Sequence, residues 1–169
     1  MLHSRHLGKW LCRRKFRRFG KNAELRPYAF ATQTKGISIG DNVVIRPGTN
    51  LGGPIDPQAE LIIEDDVLIG PDAYIVCDDH AFEDTAKPIR QQGNRGSKSV
   101  VIKRGAWLGA RVIVLSGVTI GENAVIGAGS VVTRSIPPRQ VAVGNPARVV
   151  RSLDGGGGDL NDRTSTADA

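Results

Sequence analysis

An aliphatic residue returns at every sixth position through the second half of this chain, at Ile102, Leu108, Val114, Ile120, Ile126 and Val132. Six is neither the period of a helix face, which returns at three and four, nor that of a half-buried strand, which returns at two. A second register of smaller residues runs four positions further on, at Val112, Val118, Ala124 and Ser130. The same phase appears upstream in Ile39, Ile45 and Leu51 with Val43 and Thr49, and again in Ile63, Ile69 and Ile75 with Val67 and Ala73. About eleven hexads therefore cover most of residues 37–137. Each reads as a short strand plus a turn that offers one aliphatic and one small residue to an interior. A single hexad buries almost nothing, so stability must come from coils stacked on one another. Gly40-Asp41-Asn42, Gly121-Glu122-Asn123 and Gly127-Ala128-Gly129 supply turns in which Gly and Asn accept a left-handed backbone cheaply. One inward aliphatic per side and three hexads per coil specify a triangular prism of parallel strands, an all-β solenoid.

A length of 169 residues supports one domain, and 5% aromatic content suits small solenoid turns better than an aromatic-centred core. No apolar run approaches the 18 residues or so of a spanning helix, and the N-terminus lacks the apolar segment of a secretory signal. Cys12 and Cys77 form no disulfide framework. A cytoplasmic protein is the expectation.

The net charge of +6 is concentrated at one end. Residues 1–26 hold nine Lys or Arg against the single acid Glu24. This basic segment is expected to be helical, with Leu7, Trp10 and Leu11 on one side and Cys12, Phe16 and Phe19 on another. It could pack on the end of the prism with a solvated charged face, lie on an anionic membrane surface, or contact nucleic acid. Packing on the prism or contact with a membrane surface is expected of it, and no nucleic-acid partner is expected. Residues 27–151 are assigned to the solenoid, and 152–169, with their Gly-rich polar composition, to a disordered tail.

The repeat breaks once at length. After Ile75-Val76-Cys77-Asp78-Asp79-His80 the phase resumes only at Ile102, so about twenty-one residues, 81–101, leave the coil. Long excursions from a strict repeat usually serve function or assembly. His80 stands at the root of this one, and the other histidines, His3 and His6, lie in the basic segment. A lone histidine is commonly structural. Its place at the break, beside Asp78 and Asp79, points to catalysis. There is no Cys-x-x-Cys, His-x-x-x-His, P-loop, dinucleotide fingerprint or Gly-x-Ser-x-Gly, so no metal, nucleotide-hydrolysis or serine-nucleophile chemistry is indicated.

Residues 105–151, GAWLGARVIVLSGVTIGENAVIGAGSVVTRSIPPRQVAVGNPARVVR, resemble the C-terminal half of the galactoside and maltose O-acetyltransferases. Their Trp-hydrophobic-Gly, Ser-Gly-Val-x-Ile-Gly, Ile-Gly-Ala-Gly-Ser-Val-Val-Thr and Gly-Asn-Pro-Ala motifs follow in the same order. The looped segment DDHAFEDTAKPIRQQG is similar to that of transferases acting on capsular, lipopolysaccharide and exopolysaccharide sugars. The resemblance implies the left-handed parallel β-helix of the hexapeptide-repeat acyltransferases. The hand comes from the resemblance alone, since parallel crossovers are generally right-handed. A zinc hydratase on such a prism would need three wall histidines, and this chain has only His80 there. Two departures from the pattern, Ser116 for the usual Pro and Ile102-Lys103-Arg104-Gly105 for Ile-Gly-Asp-Asn, lie at turns and are expected to leave the chemistry unaffected.

The family's roles carry over residue by residue. His80 matches the catalytic base, and imidazole suits the task because it is mostly neutral yet still basic near neutrality. Asp78, Asp79 or a backbone carbonyl would hold the other ring nitrogen, and the Gly109-Ala110 turn would stabilise an oxyanion. Asn50 and Asp79 are placed in the acceptor pocket. Ala110 and Ala128 would lie along the pantetheine arm of acetyl-CoA, with Trp107 either flanking the thioester or packing at a subunit junction. Thr133, Arg134, Arg148 and Arg151 would meet the phosphates of the donor. The resemblance thus implies transfer from acetyl-CoA to a sugar hydroxyl by a homotrimer, in surface-polysaccharide biosynthesis, and the basic segment is the feature that would hold a cytoplasmic enzyme at the inner face of the membrane. N-acylation of a nucleotide-linked amino sugar and a non-catalytic scaffold remain as alternatives.

Overall fold

The computed structural model describes residues 5–154, with side chains from Trp10 onward. The proposed tail beyond residue 154, His3, and the side chains of His6 and Leu7 lie outside the described residues. The fold is a left-handed parallel β-helix with a short N-terminal helix, α1, at Arg5–Lys15.

Three walls run the length of the prism. Wall A stacks Arg18–Phe19, Ile37–Ile39, Leu61–Ile63, Val100–Ile102 and Thr119–Ile120. Wall B stacks Glu24–Leu25, Val44–Ile45, Leu68–Ile69, Trp107–Leu108, Val125–Ile126 and Gln140–Val143, closed by the antiparallel strand Arg148–Ser152. Wall C stacks Phe30–Thr32, Asn50–Gly52, Tyr74–Val76, Ile113–Val114 and Val131–Val132. Every hexad aliphatic points inward. Ile39, Ile63, Ile102 and Ile120 form one buried column, Ile45, Ile69, Leu108 and Ile126 a second, and Leu51, Ile75, Val114 and Val132 a third. Full burial of each such side chain stabilises by roughly 1.5–3 kcal/mol. The smaller register fills the corners, where Thr49 and Ser130 are the buried polar residues. Thr49 Oγ1 donates to Gly70 O at 3.1 Å, and Ser130 Oγ donates to Gly127 O at 2.7 Å.

The turns stack as well. Asn22, Asn42, Asp66, Gly105 and Asn123 take positive φ one above another on the A–B edge. Asn22 Nδ2 donates to Asn42 Oδ1 at 3.2 Å, and Asn42 Nδ2 to Asp66 Oδ1 at 2.9 Å, so the left-handed turns brace each other. At the unusual turn Lys103-Arg104-Gly105, Gly105 supplies the positive φ. Glu64 receives Lys103 Nζ at 2.9 Å and Arg104 N at 3.0 Å, while Arg104 pairs with Glu122 at 2.6 Å.

The solenoid starts earlier than residue 27. Arg18–Phe19 pairs with Ser38–Ile39, Glu24–Leu25 with Val44–Ile45, and Phe30–Thr32 with Asn50–Gly52, which makes a complete first coil. Phe19 therefore belongs to wall A and not to the helix. Helix α1 caps the open end through Phe16, which is buried and lies 5.7 Å from the Phe19 ring. Cys12 packs against the same core. Trp10 and Leu11 face away, 52% and 40% exposed, so Cys12 and Phe16 meet the core while Trp10 and Leu11 stay in solvent.

Candidate active site

Successive coils are offset by 18 residues where nothing intervenes, as from Ile102 to Ile120. The first coil is longer, with Phe19 paired to Ile39, the second longer again, with Ile39 paired to Ile63, and the third longest, with Ile63 paired to Ile102. All three insertions leave the prism where wall C turns to wall A. They are the one-turn 3-10 helix Thr34–Gly36, the segment 53–60, and the long excursion after His80. The second was hidden in the sequence because it occupies one hexad length and so preserves the phase. On this C–A edge a groove of about 470 Å³ opens between Gln33–Gly36 and Pro54–Pro57, one to two coils below His80. A cavity of about 340 Å³ elsewhere, on the outside of wall A, is lined by ion-paired Arg18, Asp65, Arg104 and Glu122 and holds none of the candidate site residues.

The root of the long excursion is a narrow antiparallel ladder. His80 bridges Asn94, Ala81 N donates to Gly93 O at 3.0 Å, and Arg95 N donates to Asp79 O at 2.9 Å. Beyond the root the loop is held by its own contacts. Gln92 Nε2 donates to Asp84 O at 2.8 Å and Lys87 O at 2.9 Å, and Arg95 lies 4.9 Å over the Phe82 ring and 2.9 Å from Glu83. Backbone N–H groups, that of Phe82 first, and after them the Arg95 charge hold the Glu83 carboxyl below its usual range. Phe82 and Ile89 project into solvent, 56% and 54% exposed.

The His80 ring is exposed, and neither neighbouring carboxylate is bonded to it. Asp78 Oδ1 accepts from Ser97 Oγ and from Ile55 N at 3.3 Å. Asp79 Oδ2 accepts from Ser116 Oγ. Adjacent side chains on an extended segment point to opposite sides, so the two acids are drawn to different coils. Cys77, three residues upstream, is fully buried, and burial pushes its thiol up to about 11, assisted by the Asp78 charge. A thiol in that state stays protonated and sheltered, unlike a nucleophilic cysteine.

The remaining candidates divide between two edges. Thr133 and Arg134 follow wall C at the fifth coil, so they share the C–A edge with His80 and Ser116, and both are exposed. Ala110 and Ala128 lie instead on the B–C edge, one above the other, with Gly129 N donating to Ala110 O at 2.8 Å. Glycines make this edge narrow: a Cβ on Gly109 would sit 2.7 Å from Ala128 N. Gly109 N donates to Ile126 O at 2.8 Å, so of the expected oxyanion donors Gly109 is already spent within the coil stack and only Ala110 is left. Trp107 stands on the outer face of wall B, 50% exposed, between Leu68 and Val125. Asn50 is on the outside of wall C between Phe30 and Tyr74. Arg148 and Arg151 lie on the closing strand opposite Val143 and Val141, and Arg148 Nη1 donates to Ala147 O at 2.9 Å. Among the described residues no group of three or more His, Cys, Asp or Glu side chains could hold a metal ion. No helix among them is long and apolar enough to cross a membrane.

The coils, the turn ladder and the excursion define a hexapeptide-repeat transferase scaffold. The bacterial transferase hexapeptide model (six repeats) matches residues 99–134, and the hexapeptide repeat of succinyl-transferase matches 18–52, which includes the first coil. The galactoside O-acetyltransferase of Escherichia coli K12 is 35% identical over 144 residues, 85% of this chain and 68% of that protein. A hexapeptide-repeat acetyltransferase of Vibrio cholerae, crystallised with acetyl-CoA, superposes with a TM-score of 0.81 at 30% identity, over 90% of this chain and 80% of that one. A galactoside acetyltransferase in complex with coenzyme A gives 0.77 at 32% identity, over 91% and 74%. The chain belongs to the hexapeptide-repeat acyltransferase family and is related to the galactoside and maltose O-acetyltransferases. It is an acetyltransferase by family and fold.

Proposed function

We propose that this protein transfers acetyl from acetyl-CoA to a sugar hydroxyl, with His80 as general base and both substrates bound at once. Supporting this is the way the excursions, the groove and His80 share one edge, while the small residues suited to a thin pantetheine arm line another. His80 takes the hydroxyl proton as the oxygen attacks the thioester carbonyl. The carbon–sulfur bond then breaks, the protonated imidazole returns its proton to the leaving sulfur so that coenzyme A departs as the thiol, and the acetyl group stays on the sugar oxygen. Ala110 N–H is the backbone donor for the oxyanion. The buried Cys77 favours this direct transfer over an acyl-enzyme. Asn50 and Asp79 face the acceptor, and Trp107 flanks the donor. A screen of sugar, nucleotide-sugar and amino-sugar acceptors with acetyl-CoA, read by mass spectrometry, should give an O-acetyl ester. An amide product would replace the reading with N-acylation.

The site is shared between subunits in this reading. In one chain the width of wall C separates His80 from Ala110 and Ala128, and a neighbour can set its B–C edge against the C–A edge. A three-sided prism with exposed Phe82, Ile89, Tyr74 and Trp107 suits a closed homotrimer with three such junctions. Two variants then complement each other. His80→Ala and Ala128→Trp should each be inactive alone, and co-assembled they should regain a substantial fraction of activity. No recovery, or a fully active monomer by light scattering, rejects the shared site.

Helix α1 is assigned to anionic membrane surfaces, where surface-polysaccharide intermediates would be met. Its outward Trp10 and Leu11 are flanked by exposed Arg13, Arg14 and Lys15. Each cation contributes about 1 kcal/mol near such a surface. Deleting residues 2–20 would remove Phe16 and part of the first coil, so substitution is the sound test. Arg13, Arg14 and Lys15→Glu together should abolish sedimentation with vesicles of phosphatidylcholine and phosphatidylserine while activity on a soluble acceptor persists. Unchanged sedimentation rejects the membrane role.

A further inference from the structure

We infer that Asp78 and Asp79 are positioning residues that clamp the His80 main chain to the coils below and above it, and that Ser116 is a working part of this clamp. The inference rests on His80 as the base. Its ground is the pattern of bonds around one dipeptide. Asp78 reaches down, accepting from Ile55 N in the second-coil insertion at 3.3 Å and from Ser97 Oγ on the returning limb of the loop. Ser97 Oγ in turn accepts from Asp56 N at 2.8 Å, so the carboxylate and hydroxyl together join two insertions. Asp79 reaches up to Ser116 Oγ, in the turn of the next coil. Its carbonyl meanwhile accepts from Arg95 N at 2.9 Å, closing the loop root. His80 follows directly, bridged to Asn94.

A histidine at the mouth of a twenty-one-residue loop would otherwise inherit the loop's freedom. The main chain before it is instead tied at two heights on a rigid prism. Ser116 carries the upper tie, and a proline there, the residue usual in the resembling transferases, has no hydroxyl to donate. The departure expected to be neutral for chemistry is therefore assigned a role in it. A general base works only within hydrogen-bond reach of its proton, and a displacement of about 1 Å can cost a hundredfold.

Ser116→Ala should lower kcat by about ten- to a hundredfold, with the KM for acetyl-CoA within about twofold of the parent and the melting temperature nearly unchanged. Ser116→Thr, which keeps the hydroxyl, should restore most of the loss. In a His80→Ala background Ser116→Ala should cost nothing further, because the serine acts through the imidazole. A Ser116→Ala enzyme within about twofold of parental kcat overturns the inference, as does an equal fall in the His80→Ala background. If His80→Ala itself retains parental turnover, the general-base reading falls first and is identified as the cause.

Discussion

His80→Ala is expected to lower turnover by about a hundred- to ten-thousandfold while acetyl-CoA binding and the assembled state stay intact. A sugar hydroxyl is too weak an acid to attack a thioester at useful speed unless its proton leaves in the same step. His80 lies on the edge that carries the three insertions, and it is exposed. Nothing in the core depends on it, since the columns behind it are closed by Ile75, Cys77 and Val114. The loss should therefore appear in kcat and not in folding. Single-turnover kinetics, with chemistry limiting, make the comparison. Retention of more than about a tenth of parental turnover rules out the general-base role.

Removing the guanidinium groups assigned to the donor phosphates should give the next largest effect. Arg134→Ala, Arg148→Ala or Arg151→Ala should each raise the KM for acetyl-CoA about ten- to a hundredfold, equivalent to about 1.5–3 kcal/mol for a charge-assisted contact. The KM for the acceptor should move much less. The three lie in two places, Arg134 on the C–A edge and the others on the strand that closes wall B. If junctions between subunits form the site, these places belong to different chains at each donor site, and single substitutions should be similar in size. Desulfo or dephospho analogues of the donor, titrated by calorimetry, separate phosphate contacts from pantetheine contacts. A rise confined to the acceptor KM would reject the assignment.

The period of six by itself determines most of the architecture, because inward or outward facing is a local property of a strand. Ile102, Leu108 and Val114 had to face one interior whatever lay far along the chain, and they do so without exposure. The same locality explains why the break at His80 was legible, with its lost phase of about twenty-one residues. The first coil carried the signal too, in Phe19, Leu25 and Ala31 at spacing six with Ala23 between, but the turn at Gln33–Gly36 shifts its phase against the rest. Its basic residues then made it look like part of the helical segment.

What the sequence could not contain is which turns meet across coils. That depends on the summed lengths of all preceding insertions, so Ile55 and Ser116 became neighbours of the Asp78-Asp79 pair only once the coils were stacked. From sequence both acids were candidates to orient the imidazole; in the fold each is held by a serine on a different element. The separation of His80 from Ala110 and Ala128 has the same origin. Hexad counting assigns each residue a rung, whereas the corner it occupies follows from how the three walls close around the core and from where the insertions leave them.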